Sequence, residues 1–175
     1  MQQLKAAVIR PKKHLLDNEC STEFKQAIKE NYLEYELVPK GQHRRNFAEQ
    51  ALPTWKSHTI VALSGVADNF PLGLWDKLLP QLDMQVNLLR FSNVNSKVCS
   101  WTVLNGAHDF NWQPLATLGV EIQMLENPDK IKTWGVRSNP GYYVGTSLER
   151  YRSYWGWMIE TKKIRGSDTV IFKHK

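Results

Sequence analysis

The chain has 175 residues, of which 42% are hydrophobic and seven are tryptophan, and this apolar content excludes a disordered chain. Its net charge of +6 and pI near 9.3 are compatible with a polyanionic partner without identifying one. Two cysteines without a CxxC pattern exclude a disulfide scaffold or a zinc site, and the lack of a run of roughly 20 apolar residues excludes a membrane protein.

The first predicted elements form a strand–helix–strand unit. Residues 12–17 predict a short strand that ends at Asp17, and a helix starts at Ser21 or Thr22. Apolar residues then alternate with glutamates over residues 33–37, the period of a half-buried strand. Such a unit is typical of an α/β layer fold. It places Asp17 at the carboxyl end of a strand.

A second predicted helix follows a basic loop. His43, Arg44 and Arg45 precede Asn46, a favourable N-cap, and Glu49 falls in the first turn of the helix. Pro53 lies inside this helix, where its ring meets the carbonyl of the residue four positions earlier. We therefore expect a kink next to Glu49.

A third helical stretch covers residues 71–90, with Pro71 at its start and a kink at Pro80. Leucine and valine recur at helical spacing and predict a buried stripe on one face. The residues of this stripe are Leu74, Leu78, Leu82, Val86 and Leu89.

Short β-type runs separated by proline and glycine begin near Trp112 and predict a small β-barrel. These runs cover residues 120–124, 142–144, 154–159 and 169–172. We place a domain boundary in the loop 105–114, which gives an α/β domain over 1–111 and a β-barrel over 112–175. The second domain has ten basic against six acidic residues, the denser positive charge of the two.

The candidate catalytic and metal-binding residues are Asp17 and Glu49. A strand end and the first turn of a later helix can bring both carboxylates to one rim of a sheet. Clustered carboxylates are the ligands that Mg²⁺ or Mn²⁺ needs in two-metal phosphoryl transfer. A plain structural alternative stands beside this hypothesis, since Asp-Asn commonly forms turns and a first-turn glutamate suits the helix dipole.

Several short motifs, in this order and spacing, resemble the integrases of copia-type retrotransposons. Two of them, LDNECS at 16–21 and HRRNFAE at 43–49, are similar to the segments that hold the second catalytic aspartate and the catalytic glutamate. The others are FPLGLW at 70–75, LLR at 88–90, GYYVG at 141–145, YR at 151–152 and SDT at 167–169. The likeness covers nearly the whole chain.

The resemblance implies a partial ribonuclease H-like core followed by an SH3-like β-barrel, and metal-dependent DNA strand transfer by two aspartates and a glutamate. Asp17 and Glu49 would be two of these three acids, and the first aspartate would lie upstream of residue 1. Glu19 departs from the pattern, because many relatives have glycine there. With one carboxylate missing, we expect this chain alone to be inactive.

Two basic segments are candidate nucleic-acid contacts. One is the loop of His43, Arg44 and Arg45, since a helix start and guanidinium groups suit phosphate. The other interleaves cations with aromatic residues that could stack bases. Its cations are Arg150, Arg152, Lys162, Lys163 and Arg165, and its aromatic residues are Tyr151, Tyr154, Trp155 and Trp157. A solvated loop explains the first segment equally well, and a β-barrel with a buried face and a solvent-exposed face explains the second.

The leading hypothesis is therefore an integrase-derived fragment that binds DNA and descends from a strand-transfer enzyme. A non-catalytic nucleic-acid or protein-binding module is the alternative, and a decayed reading frame is a third. We expect an intracellular protein, nuclear or cytoplasmic. The loss of an opening hairpin would also expose a sheet edge and favour a homo-oligomer.

Overall fold

The computed structural model describes residues 12–40, 47–126, 129, 131 and 133–174, and it is a mixed α/β structure. An N-terminal two-stranded sheet is followed by helices and then by a five-stranded antiparallel sheet. The helices are α1 (Thr22–Glu30), α2 (Phe47–Ser64), a 3-10 turn (Leu72–Leu74), α3 (Trp75–Leu89) and α4 (Ser100–Asn105). The strands are β1 (Lys13–Leu16), β2 (Glu34–Leu37), β3 (Glu121–Leu125), β4 (Ser138–Thr146), β5 (Tyr154–Met158), β6 (Lys163–Ser167) and β7 (Val170–Lys173).

The predicted strand–helix–strand unit is confirmed. β1 and β2 pair in parallel, in a register that runs from Lys13 opposite Glu34 to Leu16 opposite Leu37. The hydroxyl of Ser21 accepts a hydrogen bond from the backbone N–H of Phe24 at 3.2 Å and so caps α1, as an N-cap serine does. β1 has no partner strand on its other edge among the residues that the structure describes.

The helix α2 contains Glu49 in its first turn, as predicted, and continues past Pro53 to Ser64. None of its described residues is fully buried. It packs on α3 partly through Trp55, whose indole N–H donates to Asp83 Oδ1 at 2.6 Å. The predicted N-cap Asn46 lies outside the described residues, and the kink at Pro53 stays a prediction.

The apolar stripe of α3 is confirmed in its middle and wrong at its end. Leu78, Leu82 and Val86 are buried, and Leu74 is partly buried against the same core. Leu89, however, is 73% exposed. It lies in the last turn of α3 and is not among the described residues that form or contact the core.

The five-stranded sheet has the strand order β6-β5-β4-β3-β7, with antiparallel neighbours throughout. The last strand therefore returns to pair with the first strand of this sheet. Four of the strands correspond to the predicted β-type runs. β6 was not predicted, because its sequence KIRGS has a single large apolar residue and two cations.

One hydrophobic core joins α3 to the inner face of this sheet. Its buried members are Val66, Phe70, Leu78, Leu82, Val86, Leu118, Val120, Ile122, Met124, Tyr142, Tyr143, Val144 and Met158. The core therefore contains residues from both sides of the boundary proposed at 111 and 112. The boundary itself stays a prediction.

The buried amide of Gln81 links this helix to the sheet. Its Oε1 accepts hydrogen bonds from the backbone N–H of Thr146 at 2.9 Å and from the hydroxyl of Tyr143. Its Nε2 donates to the carbonyl of Ala116 at 3.1 Å. Burial raises the pKa of the Tyr143 phenol, so the hydroxyl stays protonated and remains a donor. One side chain thus fixes α3 against two segments of the chain.

Candidate functional site

Asp17 stands directly after β1, as predicted, and it is exposed. Its Oδ1 accepts a hydrogen bond from the backbone N–H of Asn18 at 2.7 Å. Its backbone carbonyl accepts the N–H of Cys20 at 3.1 Å, which closes a turn before α1. The residue therefore organises a turn, as the structural alternative expects, while its carboxylate stays at the surface.

Glu49 is half-buried in the first turn of α2. A carboxylate is favoured there because the first N–H groups of a helix carry partial positive charge. In the part of the chain that the structure describes, no group of three or more histidine, cysteine, aspartate or glutamate side chains could hold a metal ion. The predicted loop of His43, Arg44 and Arg45 lies outside the described residues.

Four of the predicted cations project from the two turns that flank β5. Arg150 and Arg152 are exposed in the β4–β5 loop, and Lys162 and Lys163 are exposed where β6 begins. Arg152 and Lys162 both have positive φ, at 46° and 52°, so each occupies the tight position of its turn. The five residues of β5 separate the two turns by about 17 Å. This distance is about the length of five nucleotides along one nucleic-acid strand.

Arg165, which was also predicted as a phosphate contact, makes contacts within the protein. Its Nη1 lies 3.0 Å from Glu126 Oε1, and its Nη2 donates to the carbonyl of Leu125 at 2.6 Å. The side chain of Asn139 donates to the same glutamate. Arg165 therefore ties β6 to the end of β3, and its guanidinium is occupied within the protein.

The aromatic residues of the basic segment divide between core and surface. Tyr154 and Trp157 pack against the core, which supports the structural alternative for these two residues. Trp155 is 36% exposed and lies close to Gly166 on the neighbouring strand. Tyr151 is 52% exposed in the β4–β5 loop. Only some of the predicted stacking residues therefore remain accessible.

Tyr151 has an aromatic partner that sequence analysis did not assign to the site. The ring of Trp112 lies 5.0 Å from that of Tyr151, centroid to centroid, at an interplanar angle of 62°. Trp112 comes from the loop after α4, far along the chain, and no periodic spacing connects the two residues. Tertiary folding alone brings them together.

An open groove of about 740 Å³ begins beside Tyr151 and runs between the ends of the strands. Two arginines and three carboxylates line it, namely Arg150, Arg165, Glu126, Glu160 and Asp168. Because its charges are mixed, the groove itself is not a uniform anion site. The exposed cations on the two turns, three of which are not part of this lining, are better placed for phosphate contact.

The described residues thus offer two separate carboxylates in the predicted elements, at Asp17 and Glu49, and a cationic, aromatic surface on the five-stranded sheet. None of the helices in the described ranges combines the length and apolarity that a membrane crossing requires. Neither the comparison with protein-family models nor that with curated proteins finds a match for the chain.

Proposed function

We propose that the chain is a nucleic-acid-binding fragment derived from a copia-type retroelement integrase. The observation that carries the proposal is the set of four exposed cations on the two turns that flank β5: Arg150, Arg152, Lys162 and Lys163. Phosphate groups are attracted by such unpaired surface cations whatever the base sequence. The net charge of +6 acts in the same direction.

The finer fold proposed is a partial ribonuclease H-like core followed by an SH3-like barrel. The parallel pair β1 and β2, joined by α1, supports the first part. The five-stranded sheet supports the SH3-like barrel, because its last strand, β7, pairs with its first strand, β3. The side chain of Arg165 on β6 also bonds the carbonyl of Leu125 at the end of β3. Asp17 after β1 and Glu49 at the start of α2 occupy the elements that this interpretation requires.

The proposed ancestral activity is strand transfer with Mg²⁺ or Mn²⁺, in which Asp17 and Glu49 supply two of three carboxylates. A two-metal site with one carboxylate missing leaves its ions under-coordinated. We therefore expect the purified chain with Mn²⁺ neither to cleave nor to join DNA that mimics element ends. This expectation would be overturned if the unmodified chain formed DNA products and the Asp17→Ala variant did not.

Duplex binding is tested by fluorescence anisotropy over a range of salt concentrations. Each phosphate neutralised contributes about 0.9 to the slope of log affinity against log salt. Four alanine substitutions, at Arg150, Arg152, Lys162 and Lys163, should lower the magnitude of that slope by about 3.6 and weaken binding. The matched control replaces Lys12, Lys40, Lys56 and Lys97 with alanine, which removes four exposed cations from the part of the chain before β3. An equal loss in the control would mean that net charge, not these turns, binds DNA.

A non-catalytic binding module is the second candidate, and the role of Asp17 in its own turn favours it. The two candidates differ in how they respond to metal. If Mn²⁺ binds the chain and Asp17→Ala or Glu49→Ala abolishes that binding, the integrase descent is supported. If duplex binding is strong while neither substitution nor Mn²⁺ has any effect, the module without a metal site is favoured.

A further inference from the structure

The pair formed by Trp112 and Tyr151 remains open to solvent. Trp112 is 46% exposed and Tyr151 is 52% exposed, although their rings are in contact. Aromatic pairs that serve only packing are usually buried, as Phe70 and Tyr142 are in the core. About half of each residue is therefore left for another flat group to contact.

The two loops that present these rings are held together by hydrogen bonds. The backbone N–H of Arg152 donates to the carbonyl of Trp112 at 2.9 Å, and the side-chain amide of Gln113 donates to the carbonyl of Leu148 at 2.8 Å. These bonds lie on either side of Tyr151 in the β4–β5 loop. The ring positions are thus fixed before any ligand arrives, which lowers the entropic cost of binding.

The loop before Trp112 is ordered by its own turn. Oδ1 of Asp109 accepts the backbone N–H groups of Asn111 and Trp112, at 2.8 and 3.1 Å. This carboxylate is therefore used inside the loop. The two N–H donors partly offset the negative charge that Asp109 presents to the surface around the loop.

Cations stand on both sides of the exposed tyrosine. Arg150 and Arg152 are its sequence neighbours, and both are exposed. Among the described residues, no carboxylate lies within salt-bridge distance of either guanidinium. Flat aromatic faces beside unpaired guanidinium groups match a ligand that has planar rings and phosphates in alternation.

We propose that Trp112 and Tyr151 form a stacking platform for an unpaired base of single-stranded nucleic acid, with Arg150 and Arg152 contacting the adjoining phosphates. The inference rests on the proposed nucleic-acid binding and adds a preference to it. A paired base has both faces covered by its neighbours in a duplex, so it cannot stack on a protein ring. The platform therefore recognises a strand end, a gap or a loop rather than a continuous duplex.

The test compares three labelled ligands of equal length by fluorescence anisotropy: a thymidine strand, the same backbone without bases, and a duplex. The full chain should bind the thymidine strand at least about ten-fold more tightly than the abasic strand, since one stacked base contributes about that factor. The double variant Trp112→Leu with Tyr151→Leu keeps apolar volume and removes both ring faces. It should lose that ten-fold difference and keep its affinity for duplex.

Two controls separate stacking from general damage. Trp134→Leu removes a tryptophan that is 99% exposed on the β3–β4 connection, and it should leave all three affinities unchanged. Trp112→Phe with Tyr151→Phe keeps a flat face at both positions and should restore most of the preference. Thermal unfolding of each variant checks that the two loops have not lost their structure.

The outcomes distinguish this inference from the function on which it rests. Equal affinity of the unmodified chain for abasic and thymidine strands overturns the platform, even if salt-dependent duplex binding is found. Equal loss of duplex and single-strand affinity in the leucine variant overturns it as well. If none of the three ligands binds, both the platform and the proposed function fail.

Discussion

The buried amide of Gln81 is the single residue on which the packing of helix and sheet depends most. Replacing it with leucine would leave the Thr146 N–H and the Ala116 carbonyl without this partner and remove the acceptor of the Tyr143 hydroxyl. Each unsatisfied buried group costs about 1–3 kcal/mol, so we expect Gln81→Leu to lower the free energy of unfolding by about 3 kcal/mol or more.

Urea denaturation followed by circular dichroism measures this loss. Gln26→Leu is the control, since Gln26 is exposed on α1, its amide bonds only the exposed Glu30 side chain, and its replacement should change stability by about 0.5 kcal/mol or less. Equal stability of Gln81→Leu and the unmodified chain would mean that water or a shifted side chain replaces the amide.

The candidate residues were predictable from sequence to different degrees. Asp17 and Glu49 were placed in the correct elements, because strand ends and first helical turns have local sequence preferences. Trp112 and Arg165 were not assigned their roles, because these depend on contacts between segments distant in the chain. Whether a side chain is exposed or paired depends on tertiary contacts, and the periodicity of a single sequence does not reveal them.

The core side chains beside Gly156 in strand β5 leave little space for a side chain at that position. A Cβ added at Gly156 would lie 2.6 Å from Ile122 Cδ1 and 2.9 Å from the Cε and Sδ atoms of Met124. Overpacking of this kind costs about 1–3 kcal/mol, so Gly156→Ala should lower the melting temperature by several degrees. Gly73→Ala is the control, because nothing lies within 4 Å of the added atom.

Differential scanning calorimetry of the two alanine variants checks this comparison. Equal melting temperatures for Gly156→Ala and Gly73→Ala would show that the inner face of the sheet accommodates the added methyl group. The contrast between the two glycines also separates steric cost from the general effect of replacing glycine.

At the level of elements, local patterns predicted the strands and helices with strong periodicity and failed elsewhere. β1, α1 and β2 followed from alternation and capping residues. β6 was missed because an edge strand with two cations and one isoleucine has no alternation to detect. Its stability comes from pairing with β5, which is a non-local interaction.

The N-terminal unit of β1, α1 and β2 has buried residues that do not belong to the main core. These are Leu16, Ile28 and Val38. A unit with two strands and one helix buries little apolar surface, so it should open at a lower free energy than the five-stranded sheet. Native-state hydrogen exchange should show faster exchange for the Val38 amide than for the Tyr143 amide.

A matched pair of core truncations tests whether these regions are coupled. Leu16→Ala should accelerate exchange in β2 while leaving the unfolding midpoint of the sheet unchanged, whereas Ile122→Ala should lower that midpoint. A loss of protection in both regions from Leu16→Ala alone would mean that the molecule unfolds as one unit. Self-association stays a prediction, and light scattering would measure it.

The division into two domains near residues 111 and 112 stays a prediction. The change from helical to β-type texture near Trp112 is real, but the residues on either side pack on one another. Texture reports local conformation, while a domain is defined by which side chains share a core. The two properties need not change at the same residue.

The guanidinium of Arg165 joins β6 to the end of β3 across a side where no backbone ladder runs between strands. The two-residue connection from β6 to β7 reinforces this tie, because the carbonyl of Thr169 accepts the backbone N–H of Leu125 at 3.2 Å. A neutral replacement of Glu126 would remove the ion pair with Arg165 and leave this backbone contact in place. The end of β3 is therefore anchored twice, and losing its charged anchor should weaken this corner of the sheet without undoing the order of its strands.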